Sequence, residues 1–376
     1  MNRMKIETIE VYQIDLPYAG GTYSLSGGRT YTSFDATIVR MQTSDGIEGW
    51  GESTPFGPNY IAAHALGVRA GIAEIAPHLI GKDPRETDRI NETMDMALTG
   101  HNHAKTALDV ACWDIFGKAV KMPVSALLGG STHVPMPKIS SIYAGDPDDM
   151  RARVAEHRKQ GYMGHSIKIG ALDADGGPSL DAERIKASLA DRQSGEFYLT
   201  DANGGMSPEA ALRLLKLLPD DLDIVLEAPC ASWAETLSLR KRTNTPIILD
   251  ELAQSDADIA QILALDAADG IGLKISKAGG LTHARRHRDI ALAGGLTISV
   301  QDTVGSTIAF AAIAHMGATV PQHSLRCILD CRDMVSVQTA EFEAPFKDGG
   351  ILAPQAPGLG LKVDTDLLGK PVAIYS

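Results

Sequence analysis

One pattern dominates the chain after residue 135: short apolar runs alternate with amphipathic stretches, and the runs recur every 25–35 residues. The runs have the length of β-strands and the stretches between them the length of helices, so the pattern indicates repeated βα units. About eight such units predict a parallel sheet closed into a (β/α)8 barrel, with an open doubly wound sheet as the alternative. The predicted strands are residues 139–142, 164–169, 197–200, 223–226, 247–249, 271–275, 296–300 and 326–329.

The region before the barrel follows different periods. Residues 4–50 hold three runs of alternating apolar and polar side chains, separated by a Gly-rich interval and by a turn at 43–46. From 60 to 120 the period becomes helical, most clearly as an i, i+3, i+4 stripe over 104–115. This combination predicts a small α+β domain. The Gly- and Pro-rich tail at 348–362 has no place in a further βα unit, and we expect it to return to this first domain.

Charge and composition exclude several classes of protein. The chain has 35 Lys and Arg against 47 Asp and Glu, a net charge of −12, which disfavours nucleic acid as a partner. No apolar run approaches the roughly 18 residues of a membrane span, and residues 1–12 lack the apolar core of a signal peptide. We therefore expect a cytoplasmic protein that binds neither nucleic acid nor a membrane.

Polar residues follow the apolar runs at the predicted strand ends. In a (β/α)8 barrel the active site lies at the C-terminal ends of the strands, so these residues are the first candidates for function. They are Ser166, Lys168, Asp201, Asn203, Glu227, Asp250, Glu251, Lys274, Gln301, Asp302 and Asp330.

Three of these candidates, Asp201, Glu227 and Asp250, are carboxylates that end three consecutive strands. They would converge on one side of the barrel mouth and repel one another unless a cation lay between them. Oxygen ligands without His or Cys point to Mg²⁺, with Mn²⁺ as the alternative. The other interpretation is that each carboxylate caps a helix or pairs with a lysine.

Two lysines, Lys168 and Lys274, end strands on either side of this carboxylate group. The two-residue period of a strand places Ser166 on the same face as Lys168. A lysine near a divalent cation and another amine has its ammonium form disfavoured, and can then act as a base near neutral pH. Each lysine could instead be an ordinary ion-pair partner, and Lys277 is interpreted as structural.

The order and spacing of these residues resemble the enolase superfamily, and within it the mandelate racemase/muconate-lactonizing-enzyme family. The resemblance covers essentially the whole chain and includes the 24-residue step from Asp250 to Lys274. Its motifs are Ala104-Lys105-Thr106-Ala107-Leu108-Asp109 with Trp113-Asp114, Leu127-Leu128-Gly129-Gly130, Asp201-Ala202-Asn203, Glu227-Ala228-Pro229, Asp250-Glu251, Lys274-Ile275-Ser276-Lys277-Ala278-Gly279-Gly280 and Pro357-Gly358-Leu359-Gly360.

The resemblance implies an α/β fold of three parts. An α+β capping domain with substrate lid loops would span residues 1–130, and a modified (β/α)7β TIM barrel would span 131–335. A C-terminal segment, 336–376, would return to complete the capping domain.

The resemblance also implies the first chemical step. One of the two lysines, Lys168 or Lys274, would remove the proton α to a substrate carboxylate, and a metal would stabilise the resulting enediolate. Such a proton is too weakly acidic for an amine base unless the second negative charge is neutralised. The residues implied to hold Mg²⁺ are Asp201, Glu227 and Asp250, with Asn203 and Glu251 supporting them.

The second strand departs from the family pattern. Members usually carry Lys-x-Lys there, whereas this chain has Ser166-Ile167-Lys168. Loss of one positive charge leaves room for a cationic substrate such as a cyclic amino acid. Together with Gln301-Asp302-Thr303, this feature places the nearest resemblance with the cis-3-hydroxy-L-proline dehydratases. The expected reaction is therefore α-proton removal followed by β-elimination of water from a hydroxyproline.

Several residues are expected to contact the substrate. Asp302 or Asp330 would face the substrate ammonium group, and the Gly-rich interval 18–28 resembles a lid loop that closes over the site. A second capping loop would add two aromatic rings. The full set of expected substrate contacts is Tyr23, Phe56, Tyr60, Ser166, Asp302 and Asp330.

Other outcomes of the same first step stay open at this point. Two lysines on opposite faces also permit racemisation or 2-epimerisation, so proline betaine, hydroxyproline betaine, dipeptides and N-acyl amino acids are alternative substrates. A non-catalytic barrel that binds a metal and a carboxylate is the alternative from another class of protein, and the presence of all three carboxylates and both lysines disfavours it. Subunits of this family associate, and we expect a homo-oligomer.

Overall fold

The computed structural model describes residues 4–25 and 28–376, and its N-terminal part is an antiparallel sheet backed by helices. The strands are β1 (Ile6–Pro17), β2 (Tyr23–Ser24), β3 (Thr30–Tyr31), β4 (Ser33–Thr43) and β5 (Glu48–Ser53). β1 pairs with β4, and β4 pairs with β5. The three predicted runs of alternating side chains therefore form β1, β4 and β5, a three-stranded antiparallel meander.

Four helices follow the meander. The longest of them lies directly on β5, where Gly49 and Gly51 leave no space for a side chain. A Cβ atom on Gly51 would lie 2.0 Å from the carbonyl oxygen of Ala107, and one on Gly49 would lie 2.3 Å from that of Ala111. This close approach fixes the course of the loop that leaves β5 toward the barrel. The helices are α1 (Ala65–Leu79), α2 (Thr87–Ala97), α3 (Asn102–Val120) and α4 (Val124–Leu127).

Eight parallel strands close into a barrel, which confirms the central prediction from the sequence and excludes the open sheet. The strands follow one another in chain order, and the last pairs with the first. Each predicted strand agrees with an observed one to within three residues at either end. The strands are β6 (Met136–Ile142), β7 (Gly164–Lys168), β8 (Phe197–Asp201), β9 (Val225–Glu227), β10 (Ile247–Leu249), β11 (Gly270–Lys274), β12 (Thr297–Gln301) and β13 (Leu325–Leu329).

Helices connect the barrel strands. They are α5 (Pro147–Lys159), α6 (Gly177–Leu189), α7 (Pro208–Lys216), α8 (Trp233–Arg240), α9 (Asp256–Leu265), α10 (Ile275–Ala278), α11 (Leu281–Ala293) and α12 (Thr307–Gly317). Helix α8 was not predicted because it has eight residues and buries only Thr236 and Leu239, which is too little to define a period. The sixth barrel strand ends one residue before its predicted end, because Ile275 already begins α10.

The end of the chain returns to the N-terminal sheet. The last strand, β18 (Ala373–Tyr375), pairs antiparallel with β1, with Tyr375 opposite Ile9, and becomes the fourth strand of that sheet. Of the tail predicted to return at 348–362, Leu359 reaches the first domain, where its backbone N–H donates to Asp114 at 2.8 Å, while Gly350–Ile351 pairs with β6 of the barrel. The boundaries 1–130, 131–335 and 336–376 remain a proposal. The elements of the tail are β14 (Ala340–Phe342), β15 (Phe346–Lys347), β16 (Gly350–Ile351), β17 (Leu361–Val363), α13 (Thr365–Leu368) and β18 (Ala373–Tyr375).

A buried carboxylate joins the N-terminal sheet to the barrel. Glu52 of β5 accepts hydrogen bonds from the backbone N–H groups of Ser306 (2.8 Å) and Ala309 (3.2 Å) at the start of α12. The Thr303 hydroxyl donates to the carbonyl oxygen of Thr54 at 2.6 Å. These bonds hold the loop after β5 over the end of β12. Within the described residues, no helix combines the length and the apolar character needed to cross a membrane.

Candidate active site

The C-terminal ends of the barrel strands and two loops of the N-terminal region enclose a small cavity. Its free volume is about 50 Å³, which is room for a few water molecules. Such a convergence of titratable side chains in one enclosed space defines the candidate active site. The predicted site residues that line it are Tyr23, Phe56, Tyr60, Ser166, Lys168, Asp201, Glu227, Asp250, Lys274 and Asp302.

Lys168 at the end of β7 lies beside Asp201 at the end of β8. The two residues are in register on neighbouring strands, and the lysine Nζ donates a hydrogen bond to Oδ2 of Asp201. Burial by itself would lower the pKa of Lys168, but the charges of Asp201 and Glu227 and the nearby Tyr23 outweigh burial and raise it. In the absence of a cation this lysine is therefore an ammonium group.

Lys274 at the end of β11 forms the matching pair with Asp250. Its Nζ donates to Oδ2 of Asp250 at 2.5 Å and to the Tyr60 hydroxyl at 2.9 Å. Lys277 approaches the same carboxylate from α10, with 2.7 Å between its Nζ and Oδ1. The two ammonium groups hold the pKa of Asp250 well below its usual range despite complete burial. Lys277 thus anchors a site carboxylate, a contact that the spacing Lys274-x-x-Lys277 could have indicated.

Among the residues that the structure describes, Glu227 has no cationic partner within hydrogen-bonding distance. The side-chain hydrogen bond that it does receive comes from Nε2 of Gln301, at 3.3 Å. Burial, together with the charges of Asp201 and Asp250, raises the pKa of Glu227 to about 8. Among the described residues, no three Asp, Glu, His or Cys side chains are grouped closely enough to enclose a metal as they stand. The physical reason is that Asp201 and Asp250 are each turned toward a lysine.

Asn203 and Glu251 lie behind the carboxylates and connect them. The Asn203 amide donates to Asp201 Oδ2 and to Glu251 Oε1, both at 3.1 Å. Glu251 Oε1 also accepts from the Tyr60 hydroxyl at 3.2 Å. The remaining oxygens, Oδ1 of Asn203 and Oε2 of Glu251, are buried without a hydrogen-bond partner among the described residues. Their supporting role, predicted from the sequence, stays a prediction that this geometry favours.

The two aspartates proposed for the substrate ammonium group lie in different places. Asp302 lines the cavity, and its carboxylate accepts hydrogen bonds from the backbone N–H groups of Ser276 (3.1 Å) and Thr303 (2.7 Å). Burial raises the pKa of Asp302 to about 6. Asp330 is not among the lining residues, and Arg332 binds both of its oxygens, at 2.8 and 2.7 Å. A substrate role for Asp330 is therefore not favoured by its position.

An aromatic wall closes the cavity on the side of the N-terminal region. The ring of Phe56 packs edge-on against Tyr23, with 5.2 Å between centroids, and against Tyr60 at 5.6 Å. The Tyr23 hydroxyl is hydrogen-bonded to Ser141 of β6, a lining residue that the sequence did not single out. Within the predicted lid interval 18–28, residues 26 and 27 lie outside the described part of the chain.

A second, larger cavity of about 680 Å³ adjoins the first. Tyr60, Asp250 and Lys274 line both cavities, Lys277 lines only the second, and Lys168 lines only the first. Lys274 therefore borders both spaces, whereas Lys168 borders the smaller one.

Three features define the class of this protein: a barrel of eight parallel strands, an α+β domain over its mouth, and carboxylates and lysines at the strand ends. Residues 27–129 match the model of the mandelate racemase/muconate lactonizing enzyme N-terminal domain, and residues 149–367 match the enolase C-terminal domain-like model. The chain belongs to this family of the enolase superfamily, which confirms the resemblance found in the sequence.

The chain is similar to individual members of this family over nearly its whole length. The chain is 38% identical to the cis-3-hydroxy-L-proline dehydratase of Roseibium aggregatum, over 99% of this chain and 100% of that protein. It is 28% identical to the N-succinyl-L-Arg/Lys racemase of Bacillus cereus, over 97% of each. A mandelate racemase/muconate lactonizing enzyme-type protein from Roseovarius nubinhibens ISM, crystallised with magnesium, is 56% identical and superposes with a TM-score of 0.98 over 99% of this chain and 100% of that chain.

Proposed function

We propose that this protein is a Mg²⁺-dependent hydro-lyase that removes the α-proton of cis-3-hydroxy-L-proline and then expels its β-hydroxyl group as water. The observation that carries the proposal is the placement of Lys168 and Lys274 on the second and sixth of eight barrel strands. Strands four apart in such a barrel face each other across its axis. Amines on opposite walls, with carboxylates between them, suit proton transfer at the α-carbon of a bound carboxylate.

The donor set fits a divalent cation. Asp201, Glu227 and Asp250 supply hard oxygen ligands, and Glu227 is a buried carboxylate without a cationic hydrogen-bond partner in the described part of the chain. We infer that these three residues hold Mg²⁺, with Mn²⁺ as the alternative, and the magnesium complex of the Roseovarius nubinhibens relative supports this inference. A bound cation would supply the positive charge that offsets the second negative charge of the deprotonated substrate.

The chain's own residues would then move the protons. In this structure each lysine is an ammonium ion hydrogen-bonded to a carboxylate. Each would act as a base once a cation neutralises that carboxylate in place of the lysine. Asn203 and Glu251 keep Asp201 and Tyr60 in place. Phe56, Tyr60 and Tyr23 line the cavity on the side of the N-terminal region and would limit the access of water to the reacting atoms.

The substrate class follows from the charge of the pocket and from the relatives. Ser166 stands where a second lysine of the family pattern would add a positive charge, so the site accommodates a substrate ammonium group. Asp302 is the acidic residue of the cavity that would bind the substrate ammonium group. Hydrogen bonds from Ser276 and Thr303 already hold its carboxylate in position. The dehydratase from Roseibium aggregatum supports a hydroxyproline in particular.

Epimerisation is the second candidate function. Two amines facing each other also permit removal of the proton on one side and its return on the other. The racemase of Bacillus cereus and the L-Ala-D/L-Glu epimerase of Bacillus subtilis, 26% identical to this chain, are relatives with that type of reaction.

Proton NMR in D₂O distinguishes these functions. The purified protein with Mg²⁺ is incubated with the isomers of proline, 3-hydroxyproline, 4-hydroxyproline and their betaines. The proposal predicts loss of the α-proton signal and a new olefinic or imine product from cis-3-hydroxy-L-proline. Exchange without a new product would identify an epimerase, and absence of exchange on every cyclic amino acid would refute the proposal.

A further inference from the structure

Tyr23 and Ser141 form a pair of hydroxyl groups on the Lys168 side of the cavity. The Tyr23 side chain is 2% exposed, and its hydroxyl is hydrogen-bonded to Ser141 Oγ. Ser141 is in register with Ser166 on the neighbouring strand, two residues before Lys168. Tyr23, Ser141 and Lys168 line the same cavity. The pair thus faces the reacting centre from one wall.

Three other hydroxyl groups that line the cavity, those of Tyr60, Thr303 and Ser140, are already engaged elsewhere. Tyr60 accepts from Lys274 and donates to Glu251, so its hydroxyl belongs to a charged chain. The Thr303 hydroxyl donates to the carbonyl oxygen of Thr54. Within the described residues, the hydroxyls of Tyr23 and Ser141 bond only to each other. They are therefore free to turn toward a polar group of the substrate without breaking an ion pair.

Elimination of water requires such a group, because hydroxide is a poor leaving group unless it is protonated as it departs. A phenol is a suitable donor, since it is a far stronger acid than water. The rings of Phe56 and Tyr18 pack against Tyr23, with centroids 5.2 and 5.3 Å away, and fix its orientation.

We propose that the Tyr23 hydroxyl, held by Ser141, delivers the proton to the oxygen that leaves the β-carbon of the substrate. This inference rests on the proposed function. A lysine takes the α-proton, the electron pair of that C–H bond forms the Cα–Cβ double bond, and the Cβ–O bond breaks with its electrons on oxygen. The oxygen takes the Tyr23 proton and departs as water. The lysine that took the α-proton restores the phenol, so no other reagent is consumed.

The test compares elimination with α-proton exchange in Tyr23→Phe and Ser141→Ala. Both rates are measured by proton NMR in D₂O with cis-3-hydroxy-L-proline. Elimination by Tyr23→Phe is expected to fall at least about 100-fold, whereas exchange changes only a few-fold. Ser141→Ala should lower the same ratio by a smaller factor. Tyr31→Phe is the matched control, because Tyr31 belongs to the same aromatic cluster but its hydroxyl bonds Asn59 outside the cavity.

A substrate analogue tests whether Tyr23 acts by protonating the leaving group. cis-3-Chloro-L-proline loses chloride, which needs no protonation, so Tyr23→Phe should eliminate chloride at nearly the wild-type rate. Equal losses with both substrates would overturn the inference, as would an unchanged ratio of elimination to exchange with the hydroxyl substrate. Absence of exchange in the wild-type protein would instead refute the proposed function itself.

Discussion

At the scale of single residues, the three carboxylates proposed to hold the metal differ in their partners. Asp201 and Asp250 are each paired with a lysine, while among the described residues Glu227 has only an amide donor. The same oxygens that hold the ammonium groups are those a cation would use. Cation binding and release of the lysines are therefore linked in our account.

Lys168 and Lys274 should each remove the α-proton of a different enantiomer of the substrate. Because Lys168 and Lys274 lie on opposite walls, each reaches the α-proton of only one enantiomer. Lys274→Ala is expected to abolish turnover but to retain α-proton exchange with one enantiomer, and Lys168→Ala to retain it with the other. Proton NMR in D₂O with both enantiomers measures this. Loss of exchange from both enantiomers in each single variant would contradict the division.

Glu227 should control cation binding. Mg²⁺ at 100 times its Kd is expected to stabilise the wild-type protein by about 2.7 kcal/mol, because it binds the folded state. Glu227→Gln keeps the shape of the side chain but removes the charge, and should lose most of this stabilisation. Thermal unfolding with Mg²⁺ and with EDTA measures the shift. Asp191→Asn, at an exposed ion pair, is the control expected to retain it, and an equal shift in Glu227→Gln would exclude Glu227 as a ligand.

The sequence was enough to predict which side chains lie in the site, but not which hydrogen bonds they form there. Strand ends and the two-residue period brought the predicted lysines, most of the predicted carboxylates and Ser166 into one cavity, whereas Tyr23, Phe56 and Tyr60 were predicted from the resemblance of two loops to the family. Pairing of Asp330 with Arg332, two positions away, was the alternative to a substrate role, and the structure shows that pairing. The same rules could not show that Ser141 meets Tyr23 across 118 residues of chain. Such contacts depend on loop paths and side-chain rotamers, which have no periodic signal.

At the scale of elements, burial decides what was predictable. The barrel strands are buried along most of their length, so that each gives a compact apolar run, and all eight were predicted. Helix α8 has two buried residues and gave no detectable stripe. The close packing of β5 against α3 requires glycine at positions 49 and 51. The sequence shows the two glycines, but only the structure shows that α3 is the helix that packs on them.

Glu52 should link two elements energetically. An amide at this position would place an N–H₂ group against the donors of Ser306 and Ala309, leaving buried polar groups unsatisfied. Glu52→Gln is therefore expected to lower the free energy of unfolding by about 1–3 kcal/mol in urea denaturation. Glu48→Gln, on the same strand with a side chain 41% exposed, is the control and should lose at most about 1 kcal/mol. Equal losses in the two variants would show that Glu52 does not secure α12.

At the scale of the whole molecule, buried neutral histidines should make the protein acid-sensitive. Burial lowers the pKa of His315 to about 4, and that of His165 to about 4, from 6.5. Between about pH 4 and pH 6.5 the unfolded chain binds more protons than the folded one. The contribution of these histidines to the free energy of unfolding is therefore full above about pH 6.5 and decreases as the pH falls toward 4. Each histidine contributes on the order of 3 kcal/mol to this decrease.

Urea unfolding between pH 4 and 7 measures this dependence. His315 accepts from the backbone N–H of Ser125 and donates to the carbonyl of Leu359, and a glutamine can satisfy both groups without titrating. His315→Gln should therefore show a shallower decrease with falling pH than the wild type. Identical slopes would contradict the assignment of this histidine.

The central claim, metal-dependent removal of an α-proton by paired lysines, is tested most directly by α-proton exchange of cis-3-hydroxy-L-proline in D₂O. The measurement compares wild-type protein with Mg²⁺, the same sample after EDTA, and the Lys168→Ala/Lys274→Ala double variant. The account predicts exchange with Mg²⁺ and none in the other two samples. Exchange that persists with EDTA, or in the double variant, would contradict it.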